Sequence, residues 1–143
     1  MSKVFLDANI LLDILLPARV NHNKAIKAYE MICQNYDILA TSENIITTIE
    51  YIALKNKTDC KVVWKFFDSL NKNFEIYNFT DILEDSLNSY KESCQNGKKI
   101  DFEDLLQINS AIKNGCNAFI TEDKKILKSS FSIEIKCLKD FDE

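Results

Sequence analysis

Short apolar runs alternate with longer stretches of helical periodicity along this sequence, and this alternation constrains the fold more than any other feature. The runs of strand length lie at residues 3–6, 36–40, 74–78, 118–120 and 131–136. Between them, apolar residues recur at the spacing of an amphipathic helix, as in 23–34 and 101–114. The pattern predicts an α/β fold of three layers, in which a central parallel sheet of about four or five strands is flanked by helices.

The scarcity of turn residues supports this interpretation. Glycine and proline together account for three of the 143 residues, whereas an average protein contains about 12% of them. A sandwich or barrel of many short strands needs many tight turns, so the composition argues against an all-β fold. The length suits one domain spanning residues 1–143.

Charge and cysteine content exclude several classes of function. The net charge is −4, from 18 basic and 22 acidic residues, which excludes a globally basic nucleic-acid binder but leaves room for a local basic strip. Five scattered cysteines and one histidine, His22, form no zinc-binding pattern. Free thiols suit the reducing cytoplasm. Asp7 and Asp13 interrupt the first apolar stretch, so no membrane segment is expected there.

Two carboxylates follow predicted strands. Asp7 comes directly after the run at 3–6, and Asp123 comes after the run at 118–120 and Thr121. Ligands of parallel α/β sheets bind beyond the carboxyl ends of the strands, so both acids are expected at one crevice. Asp7 also fits the N-cap of the next helix, which is a purely structural alternative. The repetition of the feature at two strand ends favours the functional interpretation.

Three further acids each carry two interpretations. Asp101 fits the N-cap of the helix at 101–114, and Asp104 then takes the capping-box position. If that first turn points at the crevice, Asp104 instead faces Asp7. Glu50 is the one acid in the apolar run at 45–54. Its carboxylate either reaches solvent at the edge of the helix face or is met by a cation.

Carboxylates that converge on one crevice require a compensating cation. Mutual repulsion raises their pKa values unless positive charge lies nearby, and the chain has one arginine and one histidine. A ligand set made only of oxygen atoms suits Mg²⁺ or Mn²⁺. The residues by themselves therefore predict a carboxylate–metal crevice suited to phosphoryl transfer.

Four segments resemble, in order, the acidic motifs of PIN-domain nucleases. FLDANILLD at 5–13 resembles their opening strand, which ends in Asp followed by x-Asn. IITTIE at 45–50 resembles the single Glu in an apolar helix, and DFEDLLQ at 101–107 resembles the third motif. AFITED at 118–123 resembles the fourth. The set spans nearly the whole chain, whose length suits a single-domain member such as the VapC-like toxins of bacterial toxin–antitoxin pairs.

The resemblance implies a PIN-like fold and an endoribonuclease dependent on Mg²⁺ or Mn²⁺, in which metal-activated water hydrolyses RNA phosphodiester bonds. The implied metal ligands are Asp7, Glu50, Asp104 and Asp123. Family members are often homodimers, and the toxins are blocked by an antitoxin. The implied substrate and partners are therefore RNA, an antitoxin protein and a second copy of the chain, with no membrane.

The resemblance also implies supporting residues around these acids. Asn9 would orient Asp7 or contact the backbone, and Thr121 would hydrogen-bond within the acidic group. Asp101 would be an additional ligand or only a cap.

Lysines flank the predicted crevice on both sides along the chain. Lys124 and Lys125 follow Asp123, and Lys99 precedes Asp101. They either steer RNA phosphates or form a solvated surface.

A catalytically weak PIN-type module that acts through a protein partner remains the alternative function. Haloacid-dehalogenase phosphatases also end a first strand in Asp, but they need a second Asp where this chain has Asn9.

Helical spacing makes two further predictions about packing. A helix from Thr80 to about Cys94 should turn Ile82, Leu83, Leu87 and Tyr90 inward. Trp64 should lie in the core rather than form a base-stacking surface.

Overall fold

A computed structural model describes residues 1–142 and contains one parallel sheet of five strands. The strands are β1 (Lys3–Leu6), β2 (Ile38–Ser42), β3 (Phe74–Tyr77), β4 (Ala118–Ile120) and β5 (Glu134–Lys136). Their order across the sheet is β3-β2-β1-β4-β5, and every neighbouring pair is parallel. The α/β fold with a central parallel sheet is therefore confirmed.

Helices connect the strands and cover the sheet. They are α1 (Ala8–Leu15), α2 (His22–Asn35), α3 (Glu43–Lys55), α4 (Cys60–Asn73), α5 (Leu83–Gln95), α6 (Phe102–Lys113) and α7 (Lys124–Leu127), followed by a 3₁₀ turn at Leu138–Phe141. Helix α1 packs against α2 and α3, whereas α5 packs against α6. Gly115 follows α6 with a φ of +78°, a left-handed conformation that suits glycine after a helix end. No helix within residues 1–142 combines the length and apolar character that crossing a membrane requires.

Strand β1 lies at the centre of the sheet and of the core. Val4, Phe5 and Leu6 are completely buried, and the Phe5 ring stacks on Phe119 of β4 with centroids 5.1 Å apart. A strand covered on both faces reads as a continuous apolar run, which is why residues 4–6 are recognisable in the sequence. The residue that follows β1 consequently lies in the middle of the carboxyl edge of the sheet.

The predicted inward face of α5 is confirmed at Ile82, which is buried just before the helix begins, but it is wrong at the other three positions. Leu83, Leu87 and Tyr90 are exposed, with Leu83 62% accessible, and the helix begins at Leu83 rather than near Thr80. Helix α5 instead buries Ser86, whose Oγ accepts a hydrogen bond from Asn109 Nδ2 of α6 at 3.1 Å. The contact between the two helices is partly polar, so apolar spacing does not identify its buried face.

The predicted core position of Trp64 is also wrong. Trp64 is 56% exposed on α4, which buries Val63 and Leu70 instead. These two residues are seven positions apart and define the buried stripe of α4. Trp64 follows Val63 by one residue, which rotates it about 100° away from that stripe.

Candidate functional site

The carboxyl ends of β1 and β4 lie side by side and bring two acids to one edge of the sheet. Leu6 pairs with Ile120, and the backbone N–H of Asp7 donates to the Ile120 carbonyl at 3.2 Å. Asp7 therefore lies beside Thr121 at the end of β1, and Thr121 precedes Asp123 by two residues in the sequence. The two acids that follow predicted strands do meet at the same edge.

The Asp7 side chain is buried, and hydrogen bonds hold both of its oxygens. It is only 6% exposed; Oδ1 accepts from the Ile10 backbone N–H at 3.1 Å and Oδ2 accepts from the Thr121 hydroxyl at 2.5 Å. Asp7 thus caps α1, but a carboxylate has about four lone-pair sites, so capping leaves capacity for another ligand. Burial raises the pKa of Asp7 to about 6, opposed by the Thr121 and Ile10 hydrogen bonds and reinforced by Asp123.

Asp104 is a half-buried acid in the first turn of α6, and its environment favours the protonated form. Burial raises its pKa to about 7, and the charges of Asp123, Asp7 and Asp101 add to the shift, with no hydrogen bond opposing it. Asp101 occupies the N-cap position, but its side chain makes no capping hydrogen bond. The capping-box interpretation of Asp101 and Asp104 is therefore wrong.

Asp123 is fixed by the start of α7. Its Oδ1 accepts from the backbone N–H groups of Lys125 and Ile126 at 2.8 and 3.3 Å. Its own backbone N–H donates to Thr121 Oγ1 at 3.0 Å. Thr121, which is completely buried, thus links Asp123 to Asp7 through one hydroxyl.

We call Asp7, Asp104 and Asp123 the acidic cluster, because the charge of Asp123 adds to the raised pKa of Asp7, and the charges of Asp123 and Asp7 add to that of Asp104. Its donor atoms are all carboxylate oxygens, which suit Mg²⁺ or Mn²⁺ and not a soft metal. Across residues 1–142, no three Asp, Glu, His or Cys side chains are arranged to hold an ion at their present spacing. The chemistry of the cluster fits a hard divalent cation, although its three carboxylates do not form a ready-made coordination sphere.

Glu50 is an exposed residue of α3, and it is not among the main charges that raise the pKa of Asp7 or Asp104. The core-facing residues of α3 are Ile45, Ile49 and Ala53, so Glu50 sits at the edge of the helix face. Its role as a metal ligand stays a prediction.

Asn9 meets a side chain that the sequence did not single out. Its Oδ1 accepts from Arg19 Nη2 at 3.4 Å, and Arg19 Nε donates to Asp13 Oδ1 at 2.6 Å. Asp13 is buried, and its carboxylate forms an ion pair with Arg19, the single arginine of the chain. Asn9 touches Asp7 through its backbone N–H, which lowers the pKa of Asp7 slightly. The rarity of arginine in this sequence was the available signal for this contact.

A second polar connection joins the first turns of α3 and α6. Ser42 Oγ donates to Asn44 Oδ1 at 2.5 Å, and Asn44 Nδ2 donates to Glu103 Oε1 at 2.6 Å. Glu103 neighbours Asp104, so this connection ties α6 to the end of β2. No pattern in the sequence pairs residues 44 and 103.

The three lysines predicted near the site separate into two groups. Lys99 and Lys125 line one cavity, although they lie 26 positions apart in the sequence. Lys124 does not line it.

Comparisons with known proteins identify the family. The family description "PIN domain" matches residues 3–125. The chain is 32% identical over 142 residues to ribonuclease VapC1 of Aquifex aeolicus strain VF5, covering 99% of this chain and 94% of that protein. The chain therefore belongs to the PIN domain family.

Solved structures share the fold at low sequence identity. VapBC2 from Rickettsia felis, bound to a DNA fragment from its promoter, is similar with a TM-score of 0.71 and 19% identity, covering 94% of this chain and 98% of that chain. Mycobacterium tuberculosis VapC20, a sarcin–ricin loop cleaving toxin, is similar with a TM-score of 0.66 and 11% identity, covering 92% and 98%.

Proposed function

We propose that this protein is a metal-dependent endoribonuclease that hydrolyses RNA phosphodiester bonds, and that it is the toxin of a toxin–antitoxin pair. The observation that carries the proposal is the acidic cluster, in which Asp7, Asp104 and Asp123 interact through their charges at the carboxyl edge of the sheet. Membership of the PIN domain family and 32% identity to a ribonuclease support it.

The acidic cluster would hold Mg²⁺ or Mn²⁺, with Glu50 as a further ligand from α3. A divalent cation at this cluster would offset the burial and the repulsion that raise the pKa values of Asp7 and Asp104. When bound, the ion supplies positive charge to a phosphoryl oxygen and lowers the pKa of water. The nuclease unit is proposed to span residues 1–143.

The side chains around the cluster hold its carboxylates in position for this task. Thr121 and the Ile10 N–H fix the plane of the Asp7 carboxylate, and the start of α7 fixes Asp123. The Thr121 hydrogen bond also favours the ionised form of Asp7 that a metal needs. Asp104 has no opposing hydrogen bond, so its oxygens stay available. Asp101, which makes no capping bond, would support the cluster as a nearby negative charge.

The proposal includes partners as well as a substrate. The TM-score of 0.71 to a VapBC complex supports a cognate antitoxin that binds this chain. A homodimer is proposed from the family resemblance. A cytoplasmic location is proposed, where cellular RNA would be the substrate.

Cleavage of a mixed RNA panel by the purified protein, freed of any antitoxin, tests the function. Transfer RNA, ribosomal RNA and messenger RNA are incubated with Mg²⁺ or Mn²⁺, with chelator, and with Asp7→Asn in place of the wild-type protein. Asparagine caps helices as well as aspartate does, so this variant keeps the α1 cap while removing the charge. We expect cleavage that needs metal and disappears in the variant.

Intact RNA would overturn the ribonuclease proposal if the protein is folded and a divalent metal is present. The catalytically weak module that acts through a protein partner would then be the better interpretation, and co-purified proteins would identify that partner.

A further inference from the structure

Four of the six residues that line a cavity near the start of α7 are lysines. It has a volume of about 230 Å³ and lies between the segment after α5 and helix α7. Its lining residues are Gly97, Lys98, Lys99, Lys125, Lys128 and Ser129. No carboxylate lines it, and we call it the lysine cavity. Gly97 has a φ of +71°, which turns the chain sharply just before Lys98.

The four lysines that line the cavity form no ion pair with a carboxylate in the part of the chain described here. Four lysines elsewhere on the surface form ion pairs: Lys3 with Glu75, Lys72 with Asp68, Lys113 with Asp81 and Lys136 with Glu134. Four like charges around one cavity repel one another, and they do so in a protein whose net charge is −4. A local concentration of positive charge of this kind attracts an anion.

Both chain segments that line the lysine cavity also lead, along the sequence, to residues of the acidic cluster. Lys99 lies two residues before Asp101, at the entry to the helix that carries Asp104. Lys125 lies two residues after Asp123, and its backbone N–H donates to the Asp123 carboxylate at 2.8 Å. The lysine cavity is therefore next to the acidic cluster along both of these segments of the chain.

From these observations we propose that the lysine cavity binds a phosphate of the RNA backbone next to the bond that is cut. The inference rests on the proposed function and adds a binding site to it. Lysine is a compact point charge on a flexible stem, so it contacts phosphate without the bidentate geometry by which arginine reads bases. The site therefore holds the RNA backbone in place and does not select a sequence.

The salt dependence of RNA binding tests this site separately from cleavage. A fluorescently labelled single-stranded RNA of 12 nucleotides is titrated with Asp7→Asn protein, which keeps the RNA intact. The same titration is made with Lys125→Ala/Lys128→Ala added to that background. The control adds Lys61→Ala/Lys65→Ala on α4, which removes two exposed lysines that do not line the cavity. None of the three proteins loses a buried group other than the Asp7 charge, which is absent from all of them. Circular dichroism checks that each protein is folded.

We expect the cavity variant to bind RNA about tenfold more weakly than the control at about 0.1 M salt. The slope of log affinity against log salt should fall by about 0.7, since one phosphate contact to a single strand contributes about that much. DNA of the same length should lose affinity in parallel, because only phosphate is contacted. Cavity and control variants with equal slopes would overturn the lysine cavity as a phosphate site.

The two proposals fail in different ways. A wild-type protein that binds RNA through the lysine cavity but does not cut it would overturn the ribonuclease proposal alone. A wild-type protein that cuts RNA while the cavity variant binds like its control would overturn the cavity alone.

Discussion

The acidic cluster and the lysine cavity are neighbours along the chain, but they are built in opposite ways. In the cluster, the Asp7 carboxylate is buried and accepts hydrogen bonds from Ile10 and Thr121. In the cavity, Lys98, Lys99, Lys125 and Lys128 are exposed. The acidic cluster consists of individually positioned groups, whereas the lysine cavity acts through the summed charge of several exposed side chains.

This difference determines how each site responds to change. A buried, hydrogen-bonded charge has one geometry, so losing it or its partner has a large effect that salt hardly screens. Exposed lysines replace one another, so each loss is small, roughly additive and reduced by salt. This contrast would be contradicted if single substitutions in the acidic cluster had small effects on activity, or if the loss of a single cavity lysine abolished RNA binding.

The largest effect is expected from Asp104→Asn, which removes a cluster charge while keeping the shape of the side chain. Metal-based charge stabilisation contributes several kcal/mol and each 1.36 kcal/mol is tenfold in rate, so cleavage should fall by about 10³-fold. The free energy of unfolding of the metal-free variant should rise, because the repelling, half-buried carboxylate is gone. Initial cleavage rates and urea unfolding in chelator measure the two effects. Glu103→Gln, next along the chain, is the matched control, and a cleavage loss as large in that variant would contradict a specific role for Asp104.

The next largest effect is expected in the pH dependence of the free energy of unfolding of the metal-free protein. The folded-state pKa values of Asp7 and Asp104, about 6 and about 7, lie above the ordinary value of 3.8. The unfolded chain thus releases these protons first, so the free energy of unfolding falls as pH rises from about 4 to about 7. For Asp7 the loss is on the order of 3 kcal/mol.

Thermal unfolding with and without Mg²⁺ at pH 5 and pH 8 checks this pH dependence. Mg²⁺ should raise the melting temperature clearly at pH 8 and little at pH 5, because protons compete with the ion for the carboxylates. Asp7→Asn should flatten the pH dependence. Equal stabilisation by Mg²⁺ at both pH values in the wild-type protein would contradict the assignment of these pKa shifts to the metal site.

A smaller effect is expected from Thr121→Val, which removes the hydroxyl between Asp7 and Asp123. The Asp7 carboxylate loses a donor and the Asp123 N–H loses its acceptor, which should cost about 1–3 kcal/mol of stability. Cleavage should fall by about 10- to 100-fold, as for other residues that position a metal ligand. The pKa of Asp7 should also rise, because the Thr121 hydrogen bond lowers it.

The pH profile of cleavage distinguishes positioning from mere stabilisation in this variant. Its acid limb should move to higher pH in Thr121→Val and return in Thr121→Ser, which restores the hydroxyl. A less stable variant with an unmoved profile would show that Thr121 acts only on the fold.

The smallest effect among the four predicted metal ligands is expected from Glu50→Gln. Glu50 is exposed and is not among the main charges that raise the pKa of Asp7 or Asp104, so stability should change by no more than about 0.5 kcal/mol. Cleavage should fall by about tenfold, the lower end for residues that support a metal site. Glu30→Gln on α2 is the matched exposed control, and full activity in Glu50→Gln would remove Glu50 from the ligand set.

The central strand and the two strand-end acids were predictable because their signals are local. Strand β1 is buried on both faces, so residues 4–6 form a continuous apolar run that ends abruptly at Asp7. Parallel pairing then brings Asp7 and Thr121 together, since the carboxyl ends of parallel strands share one edge. The same logic fails for α5, where Ser86 and Asn109 form a polar contact between helices and Leu83 remains outside.

By itself, the sequence determined the parallel α/β fold, the strand-end positions of Asp7 and Asp123, and the oxygen-only character of the site, because periodicity and residue type are properties of neighbouring positions. Only the tertiary structure decided that Asp104 faces these acids, that Glu50 is exposed on α3, and that Lys99 and Lys125 share a cavity. Each of these outcomes depends on how separate elements pack, and packing is set by the summed contacts of the whole core rather than by any one segment.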